Sequence, residues 1–387
     1  MTARERFVKT LGFGRPDRIF YYFGKPRKAT LDAWRLQGLP PMPDAGEYGC
    51  PQEFLDLVGF DHFEWSVGVD FGPCPSFELR VIKEDDRHCV WVDRNGITIL
   101  DAGRALETPG FRTRSFLRHP VSNREQWLAM RERFDPHSPD RFPQDWTTRA
   151  KQLNARDWPI MLVMPGLFCK ARDWVGFENL CLLCYDAPAL VEDMMEHTTV
   201  FLMDIVERVL RDVPVEGVIL SEDMAYKHAS MISPAMFRRF MLPRYQRMVR
   251  LVKGHGLLVF VDCDGHLSQL LPLWQEAGID GTYPIEIAAA NDPLVYRRQY
   301  PRFALFGGID KREIRTLEQT HREIMGKVPW LIEQGGYLPS IDHAVPPDVP
   351  LRSYLYMCEL IKRLATGRPL PSPGRPLEIF SRLEKSE

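Results

Sequence analysis

Two aspartates, Asp262 and Asp264, close the apolar run Leu257-Leu258-Val259-Phe260-Val261 and are followed by Gly265 and His266. The run is short and lies between Gly256 and Gly265, which predicts a buried strand rather than a helix. Side chains alternate along a strand, so the two carboxylates face one way, about 6–7 Å apart at their backbones, and Cys263 faces the other. Two carboxylates on one face at a strand end are costly unless a cation, a proton or a ligand uses them. The pair is expected to form the floor of an active site.

The same chemistry recurs wherever a later apolar run stops. Ser221-Glu222-Asp223 follows Gly217–Leu220, Glu286 follows Gly281–Tyr283, Asp310-Lys311 follows Phe303–Phe306, and Asp342-His343 follows Gly336–Leu338. Only the run Ile160–Met164 lacks such an ending; Pro165-Gly166-Leu167-Phe168 comes after it. If these ends share one mouth, their carboxylates cannot all stay ionised without cations. Lys311, His266, His343 or a divalent metal could serve, and Asp with His is a sound ligand set for zinc or a similar ion. A carboxyl with a raised pKa would instead be a general acid. Structural readings stand beside these. Asp262 and Asp264 could cap the next helix, and Asp310-Lys311 could be an N-cap and a solvated lysine. Glu222 and Asp223 face opposite ways if extended, so one of them is expected to serve structure. His266 reads as a helix-start residue, and Cys181-Leu182-Leu183-Cys184, set among leucines, reads as core.

The elements that must position these groups alternate from Pro159 onward. Apolar strands at Ile160–Met164, Gly217–Leu220, Leu257–Val261, Gly281–Tyr283, Phe303–Phe306 and Gly336–Leu338 are separated by amphipathic helices. The helices are expected over 186–211, 233–253 (kinked at Pro243), 310–326 and 350–364. Such alternation means a parallel sheet. With one or two N-terminal strands, the aromatic Arg18–Gly24 among them, the count approaches eight and predicts an α/β fold of the (β/α)8 TIM-barrel type. An open doubly wound sheet is second, since no Gly-rich nucleotide signature follows a strand. Residues 77–101 alternate around Asn95-Gly96, a strong hairpin signal. The chain is therefore expected to be a single barrel domain over 1–387 with an N-terminal antiparallel hairpin insertion at about 77–158. Shorter helices are predicted over 2–11, with a Thr2/Glu5 capping box, 30–37 and 51–57.

Bulk composition excludes several functions. The 387 residues carry 50 basic and 52 acidic side chains, so nothing favours nucleic acid or an acidic membrane surface. No stretch of apolar residues is long enough to span a bilayer, and no signal sequence is expected. Eight scattered cysteines suit a reducing compartment, so a cytoplasmic protein is expected.

In order along the chain, Glu222–Lys227 (EDMAYK), Ile232–Phe237, Asp262–Gly265 (DCDG), Gly307–Arg312 (GGIDKR) and Asp342–Pro350 (DHAVPPDVP), with the opening Arg4–Ile19, resemble the uroporphyrinogen decarboxylase superfamily. The resemblance implies a (β/α)8 barrel and a homodimer. Methyltransferases of that superfamily bind zinc through a His-x-Cys pair and a distant Cys; Asp262, Asp264 and His343 stand at those positions. Its decarboxylases grip an acidic tetrapyrrole with N-terminal arginines and an aspartate. Asp70 stands near the aspartate, and His343 matches a late active-site histidine. The expectation is an enzyme that moves a methyl group between a small substrate and a corrinoid or similar carrier, with a corrinoid protein as partner. Asp262, Asp264 and His343 would hold a metal or position the acceptor. Glu222 and Asp223 would supply acid–base contacts, and Glu286, Asp310, Lys311, Asp70 and Tyr226 would bind substrate. The alternatives are decarboxylation of an acidic, tetrapyrrole-like substrate and non-catalytic binding of a tetrapyrrole or corrinoid.

Overall fold

The structure, a computed structural model, describes residues 1–102, 114–373 and Phe380. Four antiparallel strands, β1 (Arg80–Glu84), β2 (His88–Val92), β3 (Thr98–Ala102) and β4 (Arg114–Arg118), form a meander in sequence order. The turn between β2 and β3 is the Asn95-Gly96 pair, with Gly96 at φ +84° and the Asp93 carboxylate accepting from the amides of Asn95 and Ile97. Asn and Gly are the residues that reach this region cheaply, which is why the hairpin could be read in advance.

The chain then builds β5 (Met161–Pro165) and β6 (Gly217–Ser221), a two-stranded ribbon of β7 (Ala225–Tyr226) and β8 (Ala229–Ser230), and the strands β9 (Leu258–Asp262), β10 (Gly281–Tyr283), β11 (Ala304–Ile309) and β12 (Tyr337–Ile341). Among the described residues six of these form one parallel sheet, ordered β12-β11-β10-β9-β6-β5, with helices between them. The chain thus has an α/β fold with a parallel and an antiparallel sheet.

Two N-terminal segments lie along the outer strands of the parallel sheet without joining a ladder. Met161 and Val163 of β5 donate to the carbonyls of Glu64 and Trp65, both at 3.0 Å. Ile341 of β12 donates to the carbonyl of Phe23 at 3.1 Å, and Asp61 donates to Tyr21 at 3.0 Å. The segment expected as a first strand, Arg18–Gly24, is therefore extended and held by isolated bonds.

Alternation divides the sheet residues between two cores. Leu162, Val218, Val259, Val261 and Leu305 pack with the helices. Met161, Ile219, Phe260, Ala304, Phe306 and Leu338 face the other way, onto Phe7, Phe20, Tyr22 and Phe63 of the N-terminal arm. Aromatic side chains bury roughly 150–250 Å2 each, so this second core is a strong clamp on the arm.

The helices follow the sequence with local differences. The first, Ala3–Leu11, has the full Thr2/Glu5 capping box. The helix expected over 233–253 is two, Pro234–Phe240 and Leu242–Gly254, separated at Met241 because Pro243 cannot donate into a continuous ladder. Asp186 ends the helix Phe177–Asp186, and Pro188 opens the long helix Pro188–Asp212. The stretch 310–326 is a 3-10 turn, Lys311–Glu313, followed by Leu317–Met325.

Candidate functional site

Strand register fixes the first group. Parallel pairing sets Asp262 beside Ser221 of β6 and Tyr283 of β10. Asp262 is two residues beyond Phe260, so it continues the aromatic face of the sheet. Below it, Tyr22, Trp65, Tyr283 and Phe306 form a packed floor, with the Tyr283 and Phe306 ring centroids 4.5 Å apart and Trp65 5.5 Å from Tyr283. The Ser221 hydroxyl lies 3.3 Å from Asp262 Oδ2 and donates to it. Burial, and then the charge of Asp223, push the Asp262 carboxyl up to about 7.

Beyond the strand, Gly265 turns the chain at φ +88°, and its amide donates to Glu286 Oε2 at 2.9 Å. Asp264, Glu286 and His343 come together there, one ligand atom from each lying within 4.8 Å of the others. His343 Nε2 is 3.5 Å from Asp264 Oδ2. The surrounding walls displace bulk water, and Glu286, Asp223 and Asp262 add negative charge, so the Asp264 carboxyl is raised to about 8. Burial and the Lys311 ammonium lower the His343 pKa, which favours the neutral imidazole. A cavity of about 420 Å3, with Tyr226, Lys227, Ala288 and Ala289 in its walls, opens onto Asp264 and Glu286.

Asn291 ties the two loops of this cluster together. It is 2% exposed. Its amide group donates to the carbonyls of Gly265 and Glu286, both at 2.8 Å, and its oxygen accepts from Leu267 N at 3.0 Å and Tyr296 Oη at 2.6 Å. All four hydrogen-bonding sites of the amide are used. Nothing in the sequence reading singled this residue out; its only signal is its place immediately before Asp292-Pro293, which open the helix Pro293–Gln299.

The other expected site residues divide between the mouth and the scaffold. Glu222 is fully buried, with Oε1 accepting from Leu167 N and the Tyr245 hydroxyl and Oε2 accepting from Phe168 N and Cys169 N. It thus anchors the first turn of the helix Leu167–Val175. Burial pushes its carboxyl up to about 8, against the pull of the three amides. Asp223 sits at φ +44°, held by Arg172 Nη1 donating to its carbonyl at 2.7 Å, and lies close enough to shift Asp262, Asp264 and His343. Lys311 pairs with the buried Asp342, Nζ to Oδ1 3.2 Å, beside His343. Asp310 is an N-cap gripped by Arg312 through its backbone and guanidinium, which outweighs burial and lowers its pKa. Asp70 is exposed and accepts from Gly72 N at 2.7 Å; the charges it couples to are Arg141 and Lys170, and it is not grouped with Asp264, Glu286 and His343. Tyr226 stands 51% exposed on the β7–β8 ribbon. His266 is fixed between the Ala289 carbonyl and the Ser268 hydroxyl, a loop role. The structure therefore groups Asp264 and His343 with Glu286, while Asp262 sits one layer deeper with Ser221.

The sequence profile of uroporphyrinogen decarboxylase (URO-D) matches residues 148–364. The backbone is similar to that of a methyltransferase from Methanosarcina mazei, with a TM-score of 0.56 and 14% identity over 92% of this chain and 97% of that one. A 3-keto-D-glucoside 4-epimerase from E. coli aligns with 58% of this chain and 97% of its own at 9% identity and a TM-score of 0.32, too low to support an argument. No curated protein matches the sequence. No helix among the described residues is long and apolar enough to cross a membrane.

Proposed function

The chain belongs to the uroporphyrinogen decarboxylase (URO-D) family, and from that premise we propose that it is an enzyme moving a methyl group between a small substrate and a corrinoid or similar carrier borne by a separate protein. The observation that carries this reading is the convergence of Asp264, Glu286 and His343. A neutral imidazole with two carboxylates suits a divalent ion such as zinc, and the crowding that raises Asp264 is relieved by a cation. When bound, such an ion would act as a Lewis acid toward the acceptor atom.

The side chains supply the rest. Methyl transfer to an acceptor of the X–H type forms an X–CH3 bond, breaks the bond from the methyl to its donor, and releases the acceptor's proton. Asp262, poised near neutrality and oriented by Ser221, is placed to receive that proton. The Tyr22, Trp65, Tyr283 and Phe306 floor excludes water from below. Lys311 pairs with Asp342, and burial together with the Lys311 charge favours the neutral imidazole of His343. The closed (β/α)8 barrel is part of the proposal, supported by the backbone bonds that link residues 19–24 and 60–65 to the outer strands and to each other. A homodimer and a cytoplasmic location are part of the same proposal, the first by analogy with the family and the second in keeping with eight cysteines that are all free.

Decarboxylation of an acidic substrate is the second reading. It is favoured by Lys25, which follows the first extended segment, with Nζ 5.7 Å above the Tyr22 ring and no carboxylate paired with it among the described residues.

Zinc titration of metal-free protein followed by calorimetry tests the first reading. One equivalent should bind, Asp264→Ala and Glu286→Gln should abolish it, and Asp262→Asn should keep it. Methylcobalamin with a panel of thiol and amine acceptors should then lose its methyl group, visible as a change in the corrinoid spectrum. Absence of stoichiometric metal would remove the metal-assisted mechanism, and release of carbon dioxide from a polycarboxylate without methyl transfer would favour the second reading.

A further inference from the structure

A second cavity, about 440 Å3, lies beside the mouth where the antiparallel meander folds over the parallel sheet's loops. Three separate parts of the chain build it. Ile97, Phe116 and His119 come from the meander and its exit. Arg172, Asp173 and Phe177 come from the elbow between the helices Leu167–Val175 and Phe177–Asp186. Asp223 and Met231 come from the loop after β6, and Asp223 is near enough to the mouth for its charge to act on Asp264.

The seam between meander and elbow is fixed. Val121 N donates to the Trp174 carbonyl at 2.9 Å, and His119 Nδ1 lies 2.9 Å from the Asp173 carbonyl. Gly176 turns at φ +84°, and a Cβ there would stand 2.8 Å from His119 Cδ2. The cavity is thus a constructed space and not a gap between loosely apposed parts.

Its walls are apolar and charged in turn, with Arg172, Asp173 and Asp223 forming the charged part. Ile97, Phe116, Phe177 and Met231 give apolar walls, and Phe116 and Phe177 leave 59% and 41% of their surfaces uncovered. Arg172 uses Nη1 on the Asp223 carbonyl; its Nη2 reaches only Cys169 Sγ at 3.6 Å. Among the described residues no carboxylate forms an ion pair with Arg172. Asp173 has Lys170 as its leading charge partner and Arg172 as the next, without a direct ion pair to Arg172. A guanidinium beside apolar walls is a carboxylate receptor, because its fork matches two oxygens.

We propose that this cavity seats the non-reacting end of the substrate, an apolar, ring-sized body bearing one carboxylate that pairs with Arg172. Calling the ligand a substrate rests on the mouth being the reaction site; the binding itself does not. The insertion would then decide specificity, since two of the apolar walls belong to it.

Calorimetry on the full chain tests this with 2-naphthoate and its neutral analogue 2-naphthalenemethanol as probes. The carboxylate should bind at one site and at least tenfold more tightly than the alcohol. Arg172→Met should erase that preference while the alcohol still binds. Met231→Trp, which fills the space without touching Arg172, should abolish both. Zinc titration of the same variants should match the unmodified chain. Absence of saturable 2-naphthoate binding, or binding indifferent to both substitutions, would overturn the assignment. Failure of zinc to bind any form, with naphthoate binding intact and sensitive to both substitutions, would remove the metal-assisted mechanism and leave the cavity assigned.

Discussion

Glu222 offers the sharpest test of which acidic residues build the site and which work in it. In Glu222→Gln the side chain keeps its shape but exchanges one acceptor oxygen for an NH2 donor. Four donors point at the present carboxylate, three of them backbone amides of residues 167–169 and the fourth the Tyr245 hydroxyl. The hydroxyl can rotate to accept; an amide N–H cannot. The best rotamer therefore places the new NH2 against Tyr245 and leaves Leu167 N without a partner. Burial holds this carboxyl near 8, so at neutral pH it is largely uncharged already and the exchange removes no buried charge. An orphaned buried amide costs about 1–3 kcal/mol. With an unfolding entropy of about 2.1 cal/mol/K per residue, this corresponds to a drop in Tm of about 1–4 °C for a chain of 387 residues. Differential scanning calorimetry reads it directly. Zinc binding should survive, because the ligands lie on other loops. A Tm equal to or above that of the unmodified chain would show that the helix start does not depend on this side chain.

Three further outcomes follow from the same geometry. Asp262 and Asp264 titrate near 7 and 8 in the folded chain against an ordinary 3.8, so the folded state holds protons that the unfolded state has released. Their stabilising contribution is complete below about pH 4 and lost as pH rises through 7 to 8, so the Tm of the metal-free protein should fall across that window and saturating zinc should flatten the fall. Asn291→Ala should weaken zinc binding by roughly 10–100-fold by freeing the loops that carry Asp264 and Glu286, and unchanged affinity in calorimetry would deny it that positioning role. Gly265→Ala should destabilise the chain by about 1–3 kcal/mol in denaturant titration, because φ is +88° and the new Cβ would lie 2.8 Å from the Ala225 carbonyl carbon.

What could be read from the residues was whatever period and turn chemistry determine. The Asn95-Gly96 hairpin, the Thr2/Glu5 box and the run ending in Asp262 all depend on neighbours in sequence, and all stand where expected. The reading that one of Glu222 and Asp223 serves structure also holds, with Glu222 as the anchor. The composition of the three-residue cluster was less accessible. Asp262 and Asp264 share a strand face in the periodic reading, yet the strand stops at Asp262 and Gly265 swings Asp264 toward Glu286 and His343. Which loops meet there is a property of how separate strands are stacked. Asn291 was invisible for the same reason, since its four partners come from three stretches of chain.

The N-terminal arm has a consequence for how the molecule is made. Its extended segment and the helix Lys28–Arg35 after it are held by residues near the other end of the sequence: Phe23 by Ile341, Thr30 by Val345, Trp34 by Val349 and Gly24 by Tyr354. Contacts so distant in sequence form late and slow the folding of the whole. During synthesis the aromatic stretch Phe20–Phe23 would leave the ribosome long before any of these partners exists, with only early neighbours such as Phe7, Phe60 and Phe63 to cover its rings. The site at the strand ends is completed by the last strand, so neither a protected arm nor a working mouth is available until nearly the whole chain has emerged.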